Sequence, residues 1–343
     1  MPEYRIDIDG SGSAFAASSE EPLLRSALRA GVGFPYECNS GSCGSCKFEL
    51  LAGEVDAPAE LTAGTNARDR QRKRYLACQV KASSDCRVKV RTSEAFVPLH
   101  RPRTMRARLA QRIAHTPDLT EFVFRTEEPA RFLSGQYVLL QLPGLPGWRA
   151  YSMSNLANEE GQWCFFIKRV PGGAVTERLF AADDTVIEAV TIDGPFGCAY
   201  ARLDIDRDAV CIGGGSGISP MLGVARSLAA SGALRQRKLS FYYGCRTVAD
   251  QLDPSLIGAL ASQVGSLTHS TVLSDLGAAA TASWAGPTGF VHERVAEQLG
   301  ADGDGAAREY YVCGPPPMVD AVVRMLVLDK KVPVEQIHYD RFF

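Results

Sequence analysis

Cys38-Asn-Ser-Gly-Ser-Cys43-Gly-Ser-Cys46 sets three cysteines at C-x4-C-x2-C spacing, and Cys78 follows 32 residues after the last of them. This is the plant-type spacing for a [2Fe-2S] cluster. Four thiolates can hold two irons and two sulfides only in a loop that wraps them tightly. Gly41 and Gly44 lack a Cβ, so the backbone can pass close to inorganic sulfide and turn its amides toward it. A structural zinc site is the competing reading. Such sites more often use paired C-x2-C units, and C-x2-C occurs once in this chain. Cys38, Cys43, Cys46 and Cys78 are therefore expected to be metal ligands.

The residues around this stretch supply a small scaffold. Tyr4, Ile6 and Ile8 alternate with Arg5, Asp7 and Asp9, the period of a strand, and a Gly10-Ser-Gly12 turn follows. Pro22 opens a helix whose apolar face is Leu23, Leu24, Ala27 and Leu28 and which Gly31 closes. Strand character resumes at Lys47–Leu51 and again at Arg87–Val90. A sheet packed on one helix, with a metal loop between, fits a β-grasp ferredoxin domain over residues 1–97. Arg68, Arg70, Arg72, Lys73 and Arg74 form a basic run just before Cys78. Its ordinary meaning is a solvated face; its functional meaning is a docking patch for an acidic redox partner beside the cluster. Residues 1–97 carry 13 basic and 13 acidic side chains, so the domain as a whole is balanced. Cys86 lies outside the four-cysteine pattern and reads as a small buried hydrophobe.

A proline-bearing linker, Val97–Arg103, leads into short strand candidates at Arg106–Ile113, Thr120–Arg125, Gln136–Leu142, Trp163–Val170 and Thr185–Thr191. Short strands separated by glycine and proline turns suggest an antiparallel β-barrel over 98–203. Arg149-Ala-Tyr151-Ser152 puts a cation and an aromatic ring on one face of an extended segment. Arginine there can pair with a diphosphate and tyrosine can lie on a flavin ring. Gly172-Gly173-Ala-Val175-Thr176 opens a helix, Val175–Phe180, whose first amides suit a pyrophosphate. Asp193-Gly-Pro-Phe-Gly197 reads as a tight turn.

Asp208–Ile212 reads as a buried parallel strand running into Gly213-Gly214-Gly215-Ser216-Gly217-Ile218-Ser219-Pro220 and a helix, Met221–Ala230. Strand, glycine loop and helix set phosphates on a helix N-terminus. Ile218 stands where G-x-G-x-x-G has its third glycine. Further strands are expected at Lys238–Gly244, Thr268–Leu273 and Tyr310–Cys313, the last entering Gly314-Pro315-Pro316-Pro317 and a helix, Met318–Leu328. This is a doubly wound α/β domain over 204–343. Cys313 falls at the carboxyl end of its strand, where ligands bind in open α/β sheets, and its thiol can lie against a nicotinamide. An acidic residue after the second strand favours NADH over NADPH; here Arg246 and Thr247 come first and Asp250 later.

The whole chain is consistent with this multidomain α+β, β and α/β reading. It has 343 residues, 45% hydrophobic and 22% charged, with a formal net charge of −2. Nothing in that balance argues for nucleic acid or an anionic membrane. The first residues contain no apolar run of a signal peptide, and no stretch is long and apolar enough to span a membrane. A reducing cytoplasm is expected, with the ten cysteines as thiols or metal ligands.

Three modules in this order resemble the ferredoxin-NAD(P)H reductase superfamily carrying an N-terminal plant-type ferredoxin domain. Phe34 to Cys46 and the tail Val332-Pro-Val-Glu-Gln-Ile-His-Tyr-Asp-Arg-Phe-Phe343 look most like the reductase components of multicomponent bacterial diiron monooxygenases of the toluene-4-monooxygenase type. The resemblance implies FAD on Arg149, Tyr151, Ser152 and Lys168, with its pyrophosphate on Gly172, Gly173, Val175 and Thr176. It implies NADH on Gly213, Gly214, Gly215, Ser216, Gly217 and Ser219 and at Cys313, Gly314 and Pro315. Ser152 would hydrogen-bond near flavin N5, Asp340 would supply a carboxylate there, and Phe343 would cover the flavin, a Phe where plant-type reductases carry Tyr. The implied activity is electron transfer from NADH through FAD and [2Fe-2S] to a Rieske-type ferredoxin or a diiron hydroxylase, by a monomer. Two other readings stay open: the reductase of a ring-hydroxylating dioxygenase or phenol hydroxylase, and a non-catalytic electron-carrier module.

Overall fold

The computed structural model describes residues 2–181, 189–275, 284–299 and 304–342. It divides into two compact units, 1–104 with 193–198 and 343, and 105–192 with 199–342. In the first unit the chain runs β1 (Glu3–Ile8), β2 (Ala14–Ser18), α1 (Leu23–Arg29), β3 (Lys47–Ala52), β4 (Val55–Asp56), α2 (Ala67–Gln71), β5 (Arg74–Leu76), β6 (Lys81–Ala82) and β7 (Cys86–Lys89). Five strands form one sheet in the order β2-β1-β7-β3-β5, with β1 and β7 parallel and the pairs β1–β2, β3–β5 and β3–β7 antiparallel. The expected strand period holds: Ile6 and Ile8 point inward and are almost fully buried. Helix α1 buries Leu23, Leu24, Ala27 and Leu28 completely. It ends as glycine in the left-handed region dictates: Gly31 has φ +81°, its amide bonds Leu28 O at 3.0 Å, and the Val32 amide bonds Ala27 O at 2.9 Å.

One side of α1 is not apolar. Arg25 and Arg29 both reach the carboxylate of Asp193, at 3.2 and 2.9 Å, and Asp193 is wholly buried. The Arg29 guanidinium also donates to Pro102 O and pairs with Glu21. Burial pushes the Asp193 carboxyl up, against the pull of the two guanidinium groups. Nearby, the Gly197 amide donates to the Tyr36 hydroxyl at 2.8 Å, two residues before Cys38.

Next along the chain, a six-stranded antiparallel sheet curls into a nearly closed barrel, β8 (Arg103–Ala114), β9 (Leu119–Arg125), β10 (Tyr137–Gln141), β11 (Arg149–Ser152), β12 (Gln162–Lys168) and β13 (Val190–Phe196), in the order β11-β10-β13-β8-β9-β12. Its interior holds Phe122, Phe124, Val138, Leu140, Trp163, Phe165 and Ile167, the inward positions of alternating strands. The tight turn expected at Asp193–Gly197 is not there: Asp193 to Phe196 complete β13. These four residues are buried, so their backbone needs ladder partners rather than water. Of the strand expected at Thr185–Thr191, residues 185–188 lie outside the described residues.

Helix α3 (Ala174–Phe180) belongs to the barrel. Beyond it lie β14 (Asp208–Gly214), α4 (Ile218–Ala230), β15 (Lys238–Cys245), α5 (Ser255–Gly258), β16 (Ser266–Leu273), α6 (Val291–Gln298), β17 (Arg308–Gly314), α7 (Pro316–Arg324) and β18 (Ile337–Arg341). The sheet is all parallel, in the order β16-β15-β14-β17-β18. That is the 3-2-1-4-5 order of a doubly wound half, and it reverses between β14 and β17. The strand character of Ile337–Arg341 was not read from the sequence. The helix expected over Met318–Leu328 stops at Arg324 and continues as a π-helical turn, Met325–Asp329.

Candidate functional site: three cofactor sites on one chain

The three cysteines of the opening stretch occupy one loop, and Cys78 lies two residues past the end of β5. Cys38, Cys46 and Cys78 are buried and Cys43 half-buried. Gly41 and Gly44 take φ +89° and +79°, which turns successive amides toward sulfur. The amides of Ser40 and Cys43 donate to Cys38 Sγ at 3.4 Å, that of Ser45 donates to Cys43 Sγ at 3.5 Å, and Gln79 Nε2 donates to Cys78 Sγ at 3.5 Å. The thiols meet in two pairs. Hydrogen bonding from the Cys43 thiol outweighs burial and takes Cys38 down to about 4, and the same bond pushes Cys43 up. Cys46 and Cys78 repeat this, with Cys46 raised and Cys78 lowered. Among the described residues no three potential ligands converge on a single ion. C-x4-C-x2-C spacing with backbone amides donated to sulfur suits an iron-sulfur cluster better than one tetrahedral zinc. The buried Asn39 amide has no hydrogen-bond partner among the described residues. The donor set fits [2Fe-2S].

The flavin candidates lie on the barrel. Strand β11 is extended, so Arg149 and Tyr151 share a face, as expected; Arg149 is exposed and Tyr151 half-buried. Burial raises the Tyr151 phenol to about 12, which keeps it protonated. Ser152 Oγ is buried and has no hydrogen-bond partner among the described residues. A buried hydroxyl without a partner is unfavourable by about 1–3 kcal/mol, and a flavin ring edge would supply the partner. Gly173 caps α3 with no side-chain cap, so the first amides of the helix are open to a pyrophosphate. The Thr176 hydroxyl is committed elsewhere, to the Val170–Gly173 turn. Val175 is packed into the barrel core, so it contributes only its backbone. Lys168, at the end of β12, is held between Asp118 at 3.0 Å and Asp250 at 3.2 Å.

The nicotinamide candidates gather where the sheet order reverses. Gly213 to Gly217 leave the end of β14, and Cys313 and Gly314 leave the end of β17 beside it. A Cβ on Gly217 would collide with the Cys313 carbonyl, and one on Gly214 with Met318 Sδ. The two loops therefore pack backbone to backbone. Ile218 replaces the expected third glycine because its side chain is fully buried in the core under α4. Cys313 is buried, and burial with the nearby Asp340 charge raises its thiol well above the ordinary range. It is a neutral, soft group and not a nucleophile. Asp340 is its register partner on β18. Phe343 lies outside the described residues.

Sequence reasoning missed what joins the last two sites. Ser219 Oγ donates to Ser152 O at 2.7 Å and accepts from the Phe166 amide at 3.1 Å. Gly223 lets α4 approach Met153 O, which a Cβ would meet at 2.8 Å. Arg226 donates to Ser154 O at 2.8 Å. Residues 219, 223 and 226 form one stripe along α4 and take three consecutive carbonyls, 152 to 154. The Ser219 hydroxyl is thus spent on the flavin strand. The signal was a Ser-x3-Gly-x2-Arg stripe on an otherwise apolar helix.

Known proteins match along the whole chain. Residues 6–83 match the 2Fe-2S iron-sulfur cluster binding domain, 106–200 the oxidoreductase FAD-binding domain and 211–324 the oxidoreductase NAD-binding domain. Ferredoxin–NAD(P)(+) reductase CarAd of Metapseudomonas resinovorans is 41% identical, covering 99% of this chain and 100% of its own. The chain belongs to the ferredoxin–NAD(P)(+) reductase family of oxygenase electron-transfer components. A second family member, the ferredoxin–NAD(+) reductase component of the Xanthobacter autotrophicus alkene monooxygenase system, is 36% identical over 96% of this chain and 98% of its own. The solved ferredoxin reductase in carbazole 1,9a-dioxygenase superposes with a TM-score of 0.87 at 38% identity, covering 100% of this chain and 99% of that one. Membership makes this chain an oxidoreductase with [2Fe-2S], FAD and NAD domains that takes electrons from NAD(P)H for an oxygenase or ferredoxin acceptor. Among the described residues no helix is long and apolar enough to cross a membrane.

Proposed function

We propose that this reductase uses NADH and delivers single electrons to a Rieske-type ferredoxin, or directly to the diiron hydroxylase, of an aromatic or alkene monooxygenase, acting as a cytoplasmic monomer. The observation that carries the reading is the convergence of the Ser40, Cys43 and Ser45 amides and the Gln79 side chain on the sulfurs of Cys38, Cys43 and Cys78, on the chain that holds Ser152 and the Gly213–Gly217 loop. A flavin held on Arg149, Tyr151 and Ser152 would supply two-electron hydride acceptance, and a cluster held on Cys38, Cys43, Cys46 and Cys78 would supply one-electron transfer. The chain's own residues orient these groups. Ser152 offers a hydrogen bond at the flavin edge, and Arg149 faces the diphosphate. The amides opening α3 take up phosphate charge, and Cys313 lines the nicotinamide crevice without reacting. Asp340 stands beside it, and the family resemblance assigns the covering of the flavin to Phe343. The domains are 1–97, 98–203 and 204–343.

NADH is favoured by the Asp250 carboxylate near the end of β15. Burial opposes its charge, but the Thr247 hydroxyl and amide and the paired Lys168 hold its carboxyl below the ordinary range, so the acidic residue past the second strand is ionised. The alkene monooxygenase relative, named for NAD(+), supports the same preference. A second reading, the reductase of a ring-hydroxylating dioxygenase, is supported by the likeness to the carbazole 1,9a-dioxygenase reductase. Iron, sulfide and flavin quantification with a visible spectrum, then NADH-versus-NADPH kinetics, tests the core of the proposal. Absence of either cofactor, or preference for NADPH, sinks it. Reconstitution with monooxygenase and dioxygenase components separates the two pathways.

A further inference from the structure

We propose that α2 and the loop before it form a cationic docking surface for the acidic face of a ferredoxin-type electron acceptor. The inference rests on the reading of the cluster as the electron exit. The surface is tied to the cluster loop by backbone: the Gly64 amide donates to Gly41 O at 2.9 Å, and the Gly64 carbonyl would lie 3.3 Å from a Cβ on Gly44. Lys47, the residue after Cys46, bonds Asp69 at 2.8 Å and so fixes α2 against the strand that leaves the cluster. Asn66 and Asp69 close the helix with a full capping box. Arg70 donates to Pro58 O and Ala59 O, both at 2.7 Å, and staples the preceding loop in place.

This rigid frame presents three cations that it does not use. Arg68, Arg72 and Lys73 are exposed and form no ion pair among the described residues. Arg68 and Arg72 are four apart and share a face. Residues 57–74 contain five cations and two carboxylates; Asp69 is buried against Lys47, which leaves Glu60 as the exposed one. On the stapled loop Leu61 stands 48% exposed, an apolar point beside the charges, as in an interface core with a charged rim. Fixed, unpaired cations speed encounter with an acidic partner and select against a basic one.

Cytochrome c tests this in two forms, the native lysine-rich protein and its succinylated, acidic derivative, with ferricyanide as a small acceptor. From NADH, the wild type should reduce the acidic form faster than the native one. That rate should fall about tenfold between ~20 mM and ~200 mM salt. Arg68→Glu/Arg72→Glu/Lys73→Glu should slow the acidic form about tenfold and speed the native one, with the cluster spectrum and ferricyanide rate unchanged. The milder triple substitution to Gln should fall between and carries the test if the reversed protein fails to take up its cluster. A spectrally intact triple variant that reduces the acidic form within about twofold of wild type overturns the surface. A wild type that reduces ferricyanide but neither cytochrome overturns the cluster as exit, and the surface with it.

Discussion

Two glycine loops organise this protein, and they use glycine for opposite ends. In the cluster loop Gly41 and Gly44 are needed for their left-handed backbone, which aims amides at the cysteine sulfurs. In the nicotinamide loop Gly214 and Gly217 are needed for their missing side chains, because Met318 and the Cys313 carbonyl occupy the space a Cβ would take. The first is a chemical loop with a packing constraint at Gln79, and the second is a packing device that leaves its backbone open to a ligand. The difference teaches why one motif is read by strict spacing and the other tolerates Ile218 where a glycine is customary.

Substitutions can break this contrast. The largest effect should come from Cys46→Ser, which should remove the cluster's visible absorbance and its iron and sulfide while flavin content stays at wild-type stoichiometry. Retained absorbance would remove Cys46 from the ligand set. Gly217→Ala should destabilise the second unit by about 3 kcal/mol and raise the KM for NADH. Unchanged melting would mean the two loops do not pack as described. Ser219→Ala strands the Phe166 amide and Ser152 carbonyl in the interior, a loss of about 2 kcal/mol. Chemical denaturation measures it, and a flavin spectrum that shifts with it would show that α4 positions the flavin strand. Gly41→Ala should be smaller, about 1–2 kcal/mol from the left-handed backbone, because its other obstacle, Gln79, is a movable side chain. It should lower cluster occupancy but leave NADH binding alone. Arg149→Ala should weaken FAD retention on gel filtration by about tenfold in Kd, near 1.4 kcal/mol, with no change in cluster content. Equal flavin retention would remove Arg149 from the phosphate site.

Much of the fold was legible because its signals are local. Alternation marked β1 and β7, a continuous apolar run marked the first strand of the parallel sheet, and spacing marked the cysteines. What sequence reading missed depends on distant partners. Asp193 reads as part of a Gly-Pro turn, yet its carboxylate is buried between Arg25 and Arg29, far away in the chain. Strand β18 is short and mixes His338, Asp340 and Arg341 with apolar residues, and β17 beside it makes it a strand. Thr176 and Lys168 have the right chemistry for a cofactor, but the Val170–Gly173 turn holds the first and the distant Asp118 and Asp250 hold the second.

The stripe of Ser219, Gly223 and Arg226 bears on engineering. A nucleotide-binding loop is commonly regarded as a cassette that can be exchanged to change coenzyme preference. Here the helix that the loop feeds also grips carbonyls 152 to 154 of the flavin-side chain. A transplant of 213–230 from another reductase will therefore disturb two cofactors at once unless it brings those three contacts with it. Changes beyond Cys245, at the end of the neighbouring strand, leave that grip intact and are the safer place to redesign specificity.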